Sequence, residues 1–170
     1  PRMIGESASF LEMQEHISHV APLNKPVLFV GERGTGKELV AARLHYLSQR
    51  WENTFLKINC AAMSETLLEA QLFGHEAGAY TGATKQRKGF FERAHGGTLF
   101  MDELANTPMS VQEKILRVIE YGEFERLGGN ETLSVDVRIV AATNDALPDL
   151  EIGRAAGRER GSAGSAAGNH

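Results

Sequence analysis

Short apolar runs alternate with stretches of helical periodicity along most of this chain. Phe10, Met13, Ile17 and Val20 recur at three- and four-residue spacing, which predicts an amphipathic helix from about Phe10 to Val20. Pro26 to Val30 is wholly apolar, the pattern of a strand buried on both faces. Helical spacing resumes from Lys37 to about Leu47, with Leu39, Val40, Leu44 and Leu47 as its apolar set. A second strand is predicted at Phe55 to Ile58, then a short helix from Glu65 to Phe73 with Ser64 as its cap. Thr98 to Met101 reads as the third strand, ending at Asp102 and Glu103. Thr107-Pro108 predicts a helix start, cap followed by Pro at the first position, with Val111, Ile115, Val118 and Ile119 facing inward. The fourth strand is Val137 to Ala142, stopping at Thr143-Asn144. Alternation of strand and helix predicts a layered α/β fold with a parallel sheet. Three of its strands end in polar residues at their C-terminal tips, where open α/β sheets place ligands.

Composition narrows the class. The 170 residues are one domain's worth of sequence, 42% apolar and 24% charged, the balance of a soluble globular protein. The pattern ends near residue 150, so residues 1–150 are expected to be the folded unit. From about Glu151 the chain is Gly, Ala and Ser with a few charges, expected to be disordered or foreign to the domain. Pro rather than Met stands first, and the expectation is that the true N-terminus is missing. No apolar run approaches the ~20 residues of a membrane span. Net charge is −4, from 18 Lys plus Arg against 22 Asp plus Glu, which argues against an extended nucleic-acid surface. A single cysteine, Cys60, excludes an internal disulfide framework, fits a reducing cytoplasm, and is expected to fill core space. His16 and His19 lack zinc-ligand spacing and are assigned to a solvated helix face.

Chemistry enters between the first strand and the helix after it. Gly31-Glu32-Arg33-Gly34-Thr35-Gly36-Lys37 leaves a buried strand and opens a helix, the context in which G-x-x-x-x-G-K forms a phosphate loop. Glycines permit a tight turn whose N–H groups converge on phosphate oxygens. The helix N-terminus adds partial positive charge, and Lys37 adds a full one. The expected ligand is a nucleoside triphosphate, ATP. Glu38 stands where a Ser or Thr usually ligates Mg²⁺, which taken alone suits a loop that binds without hydrolysing.

Asp102-Glu103 supplies a second part. At a strand tip the first carboxylate suits Mg²⁺ and the second suits polarising a water. An acidic pair alone is often only a helix cap; its weight comes from following a phosphate loop within one domain. Thr143 and Asn144, at the end of another strand, are candidates for contact with the γ-phosphate or the attacking water. Gly74 to Ala83 holds three glycines and no apolar periodicity, so it is expected to be a loop without a packed element. Tyr80 at its middle suits a partner contact, though the residues alone leave an ordinary surface loop open.

Gly31 to Glu38, Gly78-Ala79-Tyr80-Thr81-Gly82-Ala83 and Gly97 to Glu103 together resemble the AAA+ domain of bacterial sigma-54-dependent transcription activators. The second motif is close to a signature of that family, usually with Phe where Tyr80 stands. Leu44 to Ser48, Arg50-Trp51 and Val118 to Glu123 look most like its phage-shock branch. The resemblance runs from about residue 4 to 150. It implies a three-layer αβα P-loop NTPase that hydrolyses ATP with Mg²⁺ even with Glu38 after the lysine. Lys37 would bind phosphates, Asp102 would organise the metal, and Glu103 would activate water. Asn59 would hydrogen-bond Glu103 and switch it with nucleotide state, and Thr143 and Asn144 would sense the nucleotide. Residues 78 to 83 would grip sigma-54 RNA polymerase, supported by a second loop near Glu125 to Ser134.

The family further implies a cytoplasmic homo-hexamer, with enhancer DNA read by a separate C-terminal domain. Its arginine fingers, helical lid and DNA reader have no match here, because Arg154, Arg158 and Arg160 depart from the pattern. With fingers contributing about 10³ to 10⁵ in rate, these residues by themselves are expected to hydrolyse ATP poorly. Two alternatives stand beside the motor reading: a nucleotide-gated interaction module that does not hydrolyse, and another AAA+ remodeller.

Overall fold

The computed structural model describes residues 15–31 and 36–143. Residues 15–20 are helical (α1), and the predicted start of that helix, with Phe10 and Met13, lies outside the described residues, as does the tail from Glu151. The elements that follow are β1 (Val27–Val30), α2 (Lys37–Tyr46), β2 (Phe55–Asn59), α3 (Glu65–Phe73), α4 (Phe90–Arg93), β3 (Thr98–Asp102), α5 (Met109–Tyr121), β4 (Glu123–Phe124), β5 (Leu133–Ser134) and β6 (Arg138–Thr143). Four strands form one parallel sheet in the order β1-β6-β3-β2, and β4 pairs antiparallel with β5.

Strand alternation splits the core into two layers. Leu99 and Met101 of β3, with Ile139 and Ala141 of β6, face a cluster built by Leu68, Leu72 and Phe73 of α3 and Val111, Ile115 and Val118 of α5. Phe100, Val140 and Ala142 point to the opposite side, onto Ile17 of α1 and Ala41 and Leu44 of α2. Both central strands are therefore covered on two faces, which is why they read as continuous apolar runs. The result is the three-layer αβα arrangement with a parallel sheet.

Three local expectations need correction. Strand β1 is only partly buried and its Val30 is exposed, because among the described residues β1 is an edge strand with β6 on one side. Helix α2 buries Ala41, Leu44 and His45, whereas Leu39 and Leu47 are exposed. The buried face is turned by about one position from the predicted one, so that Ala41, Leu44 and His45 meet the sheet and Leu39 and Leu47 point outward. Thr107 does not cap α5: Pro108 holds that position without a side-chain bond, and the Thr107 hydroxyl donates to Leu104 O at 2.7 Å. A 3-10 turn at Leu104–Asn106, directly after β3, takes that hydroxyl first. The cap on α3 is as the sequence predicts, with Ser64 Oγ accepting from Leu67 N.

Two buried polar side chains tie the layers together. Arg138 at the start of β6 donates to Val20 O, Ala21 O and Lys25 O at 2.9, 2.7 and 3.1 Å, satisfying carbonyls where α1 ends. His45 of α2 is fully buried, stacked on Phe55 at 5.0 Å. Its Nε2 faces the Asn53 carbonyl at 3.1 Å, so that nitrogen carries the hydrogen. Nδ1 then accepts from the Thr98 hydroxyl at 2.8 Å. Gly97, just before β3, has no room for a side chain, because a Cβ there would collide with the Thr54 carbonyl oxygen.

Replacing Arg138 with Met removes its bonds to Ala21 O and Lys25 O, while Val20 O keeps the Leu23 N–H, and should cost about 2–4 kcal/mol, read as a lower urea midpoint at unchanged slope. Burial also holds the His45 imidazole below its ordinary value of 6.5. Above that pH the native and unfolded chains are both neutral at this site; below it only the unfolded chain readily takes the proton. Stability should therefore fall as pH drops below 6.5. His45→Gln should flatten that slope in urea titrations run from roughly one pH unit above that value to roughly one below it.

Candidate functional site: a lysine and two carboxylates at the strand tips

Parallel register brings the carboxyl ends of β2, β3 and β6 to one edge. Asn59 lies opposite Asp102, Met101 opposite Ala141, and Val30 opposite Thr143. The Gly31 N–H donates to Thr143 O at 3.0 Å, so the phosphate loop leaves the sheet beside the tip of β6. At its far end Gly36 has φ 77°, a left-handed conformation that favours glycine, and its carbonyl accepts the Leu39 and Val40 N–H groups that open α2. Residues 32–35 and Asn144 lie outside the described residues, so Glu32, Arg33, Gly34, Thr35 and Asn144 have no structural account here.

Lys37, the first residue of α2, is buried and its Nζ lies 3.1 Å from Asp102 Oδ1 and 4.0 Å from a Glu103 carboxylate oxygen. Asp102 Oδ1 also accepts the Glu103 N–H at 2.8 Å. That bond fixes an unusual backbone: Glu103 is the one non-glycine described residue with positive φ, at 61°. Such a conformation costs of order 1–3 kcal/mol, a strain that tends to gather at functional sites. Its carboxylate is further held by the Asn106 amide, Nδ2 to Oε2 at 3.1 Å.

The sequence-predicted residues divide as follows. Gly31, Gly36, Lys37, Asp102, Glu103 and Thr143 converge on one edge of the sheet. Asn59 is at that edge, but its amide oxygen accepts from Ala61 N at 2.9 Å, and the amide on Glu103 is that of Asn106. Sequence reasoning missed Asn106; its spacing of three from Glu103, through a 3-10 turn, was the available signal. Glu38 is exposed and pairs with Lys57 of β2 at 3.6 Å. Cys60 is buried and its thiol is pushed up to about 12, chiefly by desolvation, which makes it inert core.

Residues 74–83 correct the expectation of an unpacked loop. His75 bridges Arg87 on one side and Leu127 on the other, and the Gly78 N–H donates to Ala83 O at 2.6 Å, closing residues 78–83 into a compact turn. Tyr80 is half-buried, edge-on to the His75 ring at 5.2 Å. Glu76 N donates to Leu127 O at 2.9 Å and Leu127 N to Gly74 O at 3.0 Å, which fastens the segment to the loop between β4 and β5. Arg126 of that loop grips Glu76 at 3.1 Å and Glu92 at 2.8 Å. Backbone pairing with a distant hairpin replaces the apolar periodicity the segment lacks.

The site suits a magnesium nucleotide on the donor chemistry alone. A helix N-terminus and a buried ammonium stand beside a carboxylate. Among the described residues no three His, Cys, Asp or Glu side chains form a metal cage. Mg²⁺ held by one carboxylate and by phosphates needs none.

The sequence pattern of the Sigma-54 interaction domain family matches residues 3–155. The chain is 66% identical over 148 residues to the Psp operon transcriptional activator of Escherichia coli K12, covering 87% of this chain and 46% of that one. The structure of NtrX from Brucella abortus in complex with ATP superposes with a TM-score of 0.76 at 38% identity, over 90% of this chain and 32% of that one. The P-loop NTPase domain of an Escherichia coli sigma-54 transport activator shares the fold, with a TM-score of 0.53 at 15% identity, over 85% of this chain and 90% of that one. The chain thus has the α/β fold of a P-loop NTPase and spans less than half of the Psp operon activator.

Because glycine removes the conformational penalty at residue 103, Glu103→Gly should leave unfolding stability unchanged or raise it by up to about 1 kcal/mol. A loss larger than that in urea unfolding would mean the carboxylate's contacts outweigh its strain.

Proposed function

The chain belongs to the Sigma-54 interaction domain family, and on that premise we propose that it is the ATP-hydrolysing motor domain of a bacterial enhancer-binding transcription activator. The observation that carries this reading is the convergence of Lys37, Asp102 and Glu103 where a phosphate loop meets the tips of β3 and β6. ATP with Mg²⁺ supplies the phosphoanhydride bond and a metal that neutralises developing charge. The loop from Gly31 to Lys37 would offer its N–H groups to the phosphates, and Lys37 would add its ammonium at the β and γ positions. Asp102 would hold the metal. The Glu103 carboxylate takes the proton of the attacking water, from a position fixed by Asn106 and by its own backbone. Thr143 and Asn144 sense the γ-phosphate at the next strand tip. Asn59, one strand away, takes over Glu103 as the nucleotide state changes.

Work leaves the domain through residues 78–83, which grip sigma-54 RNA polymerase, braced by the loop of residues 125–134. Tyr80 keeps an aromatic at the turn where relatives usually carry Phe. The whole protein acts as a cytoplasmic homo-hexamer, with enhancer DNA read by a further domain. Among the described residues no helix is long and apolar enough to cross a membrane.

Glu103→Ala in the intact protein separates a motor from a nucleotide-gated docking module. ATP binding should persist while hydrolysis falls at least about a hundredfold and promoter opening stops. Promoter opening that survives without hydrolysis would sink the motor reading. Thr81→Ala should abolish capture of sigma-54 by the protein loaded with an ATP transition-state analogue.

A further inference from the structure

Beside the 78–83 turn lies a groove of about 280 Å³, lined by α3, the turn itself and the segment leading into α4. Lys85, Arg87, Lys88 and Arg93 contribute to its walls, and all four are exposed. None of the four forms an ion pair with a described carboxylate; Arg93 only lies over the Phe90 ring at 4.9 Å. The acids nearby are committed elsewhere. Glu69 pairs with Lys114, Glu76 and Glu92 both pair with Arg126, and Glu65 accepts from Ser110. In a chain whose net charge is −4, four unneutralised cations on one groove are a local departure from the rest of the surface.

The remaining lining is not that of a phosphate track. Leu67, Ala70 and the Tyr80 ring supply apolar and aromatic surface between the cations, and the side chain of Gln71 adds an amide. Mixed cation and apolar lining suits a peptide that offers carboxylates and apolar side chains together, whereas nucleic-acid backbone rewards positive charge alone. Tyr80, Gly82 and Ala83 belong both to the turn and to the groove wall, so a segment held at the turn runs directly into the groove.

We propose that this groove is a second contact for sigma-54, taking an acidic segment of it that also carries apolar residues. The inference rests on the motor-domain reading and deepens it, by giving the partner segment a charge. Paired charges at such a rim set approach and orientation more than final tightness, so capture should weaken as salt rises.

The test uses the intact protein with ADP and aluminium fluoride as the transition-state analogue. Lys85→Glu with Lys88→Glu should keep ATP hydrolysis within about twofold, yet lower sigma-54 capture about tenfold or more and flatten its salt dependence. The milder Lys85→Gln, Lys88→Gln pair should fall between and serves if charge reversal disturbs folding. Capture at the unaltered level in these variants, with Thr81→Ala still abolishing it, overturns the groove and leaves the turn standing. If Thr81→Ala also leaves capture intact, the motor-domain reading and this inference fail together. A benzophenone amino acid in place of Gln71 should cross-link to a sigma-54 peptide containing Asp or Glu. Cross-links to promoter DNA alone, or to a peptide without carboxylates, also overturn it.

Discussion

The Lys37–Asp102 ion pair joins two elements that do not touch in the sheet. Lys37 follows β1, Asp102 ends β3, and β6 lies between them. The 3.1 Å contact therefore depends on two parallel registers holding at once, β1 on β6 and β6 on β3. A slip of one residue in either would reverse which side chains face which core and carry Asp102 away from the lysine. Burying these charges costs desolvation, which their mutual attraction offsets only in good geometry. The rigidity of the apolar layers on both faces of β3 and β6 is what keeps that geometry available.

From the same tip a run of contacts leads to the surface. Glu103 is held in a strained conformation by Asp102 and Asn106, and the chain then turns through residues 104–106 into α5. Helix α5 ends at the β4–β5 hairpin, whose loop grips residues 74–83 through Leu127 and Arg126. A continuous path of backbone and ion pairs thus links the carboxylate to the turn at 78–83. Arg126 is its junction, since it bonds Glu76 before the turn and Glu92 after it. The Glu92 bond first, and then the Glu76 bond, raise the guanidinium's hold on its proton, while the Gln86 amide first and Arg126 second keep Glu76 ionised below the usual carboxylate range.

Apolar periodicity and spacing made much of this legible. Strand and helix identities were readable because the central strands are covered on both faces, which leaves long apolar runs, and because α5 shows one clear apolar stripe. The Gly31–Lys37 loop and Asp102-Glu103 were readable because their chemistry demands particular residue types at particular places. The apolar face of α2 was only partly read: Leu44 is buried as expected, but its neighbours there are Ala41 and His45, a small and a polar group that hydropathy does not mark, while Leu39 and Leu47 are exposed. Packing of residues 74–83 was invisible for a related reason, since it is made by backbone hydrogen bonds to Leu127, some fifty positions onward.

By itself the sequence determined the layered α/β class, the phosphate loop, the acidic pair and the place of the glycine-rich motif at 78–83, though not that it folds into a packed turn. Each is encoded locally, by alternation, by glycine where the backbone must turn tightly, or by a charged residue at a strand end. Tertiary structure decided which of these meet. Strand order inserted β6 between β1 and β3, set Lys37 against Asp102, gave Glu103 to Asn106 rather than Asn59, and left four cations together beside the turn. Partners as distant along the chain as Lys37 and Asp102 are chosen by register and by burial, and neither quantity is written in any one stretch of residues.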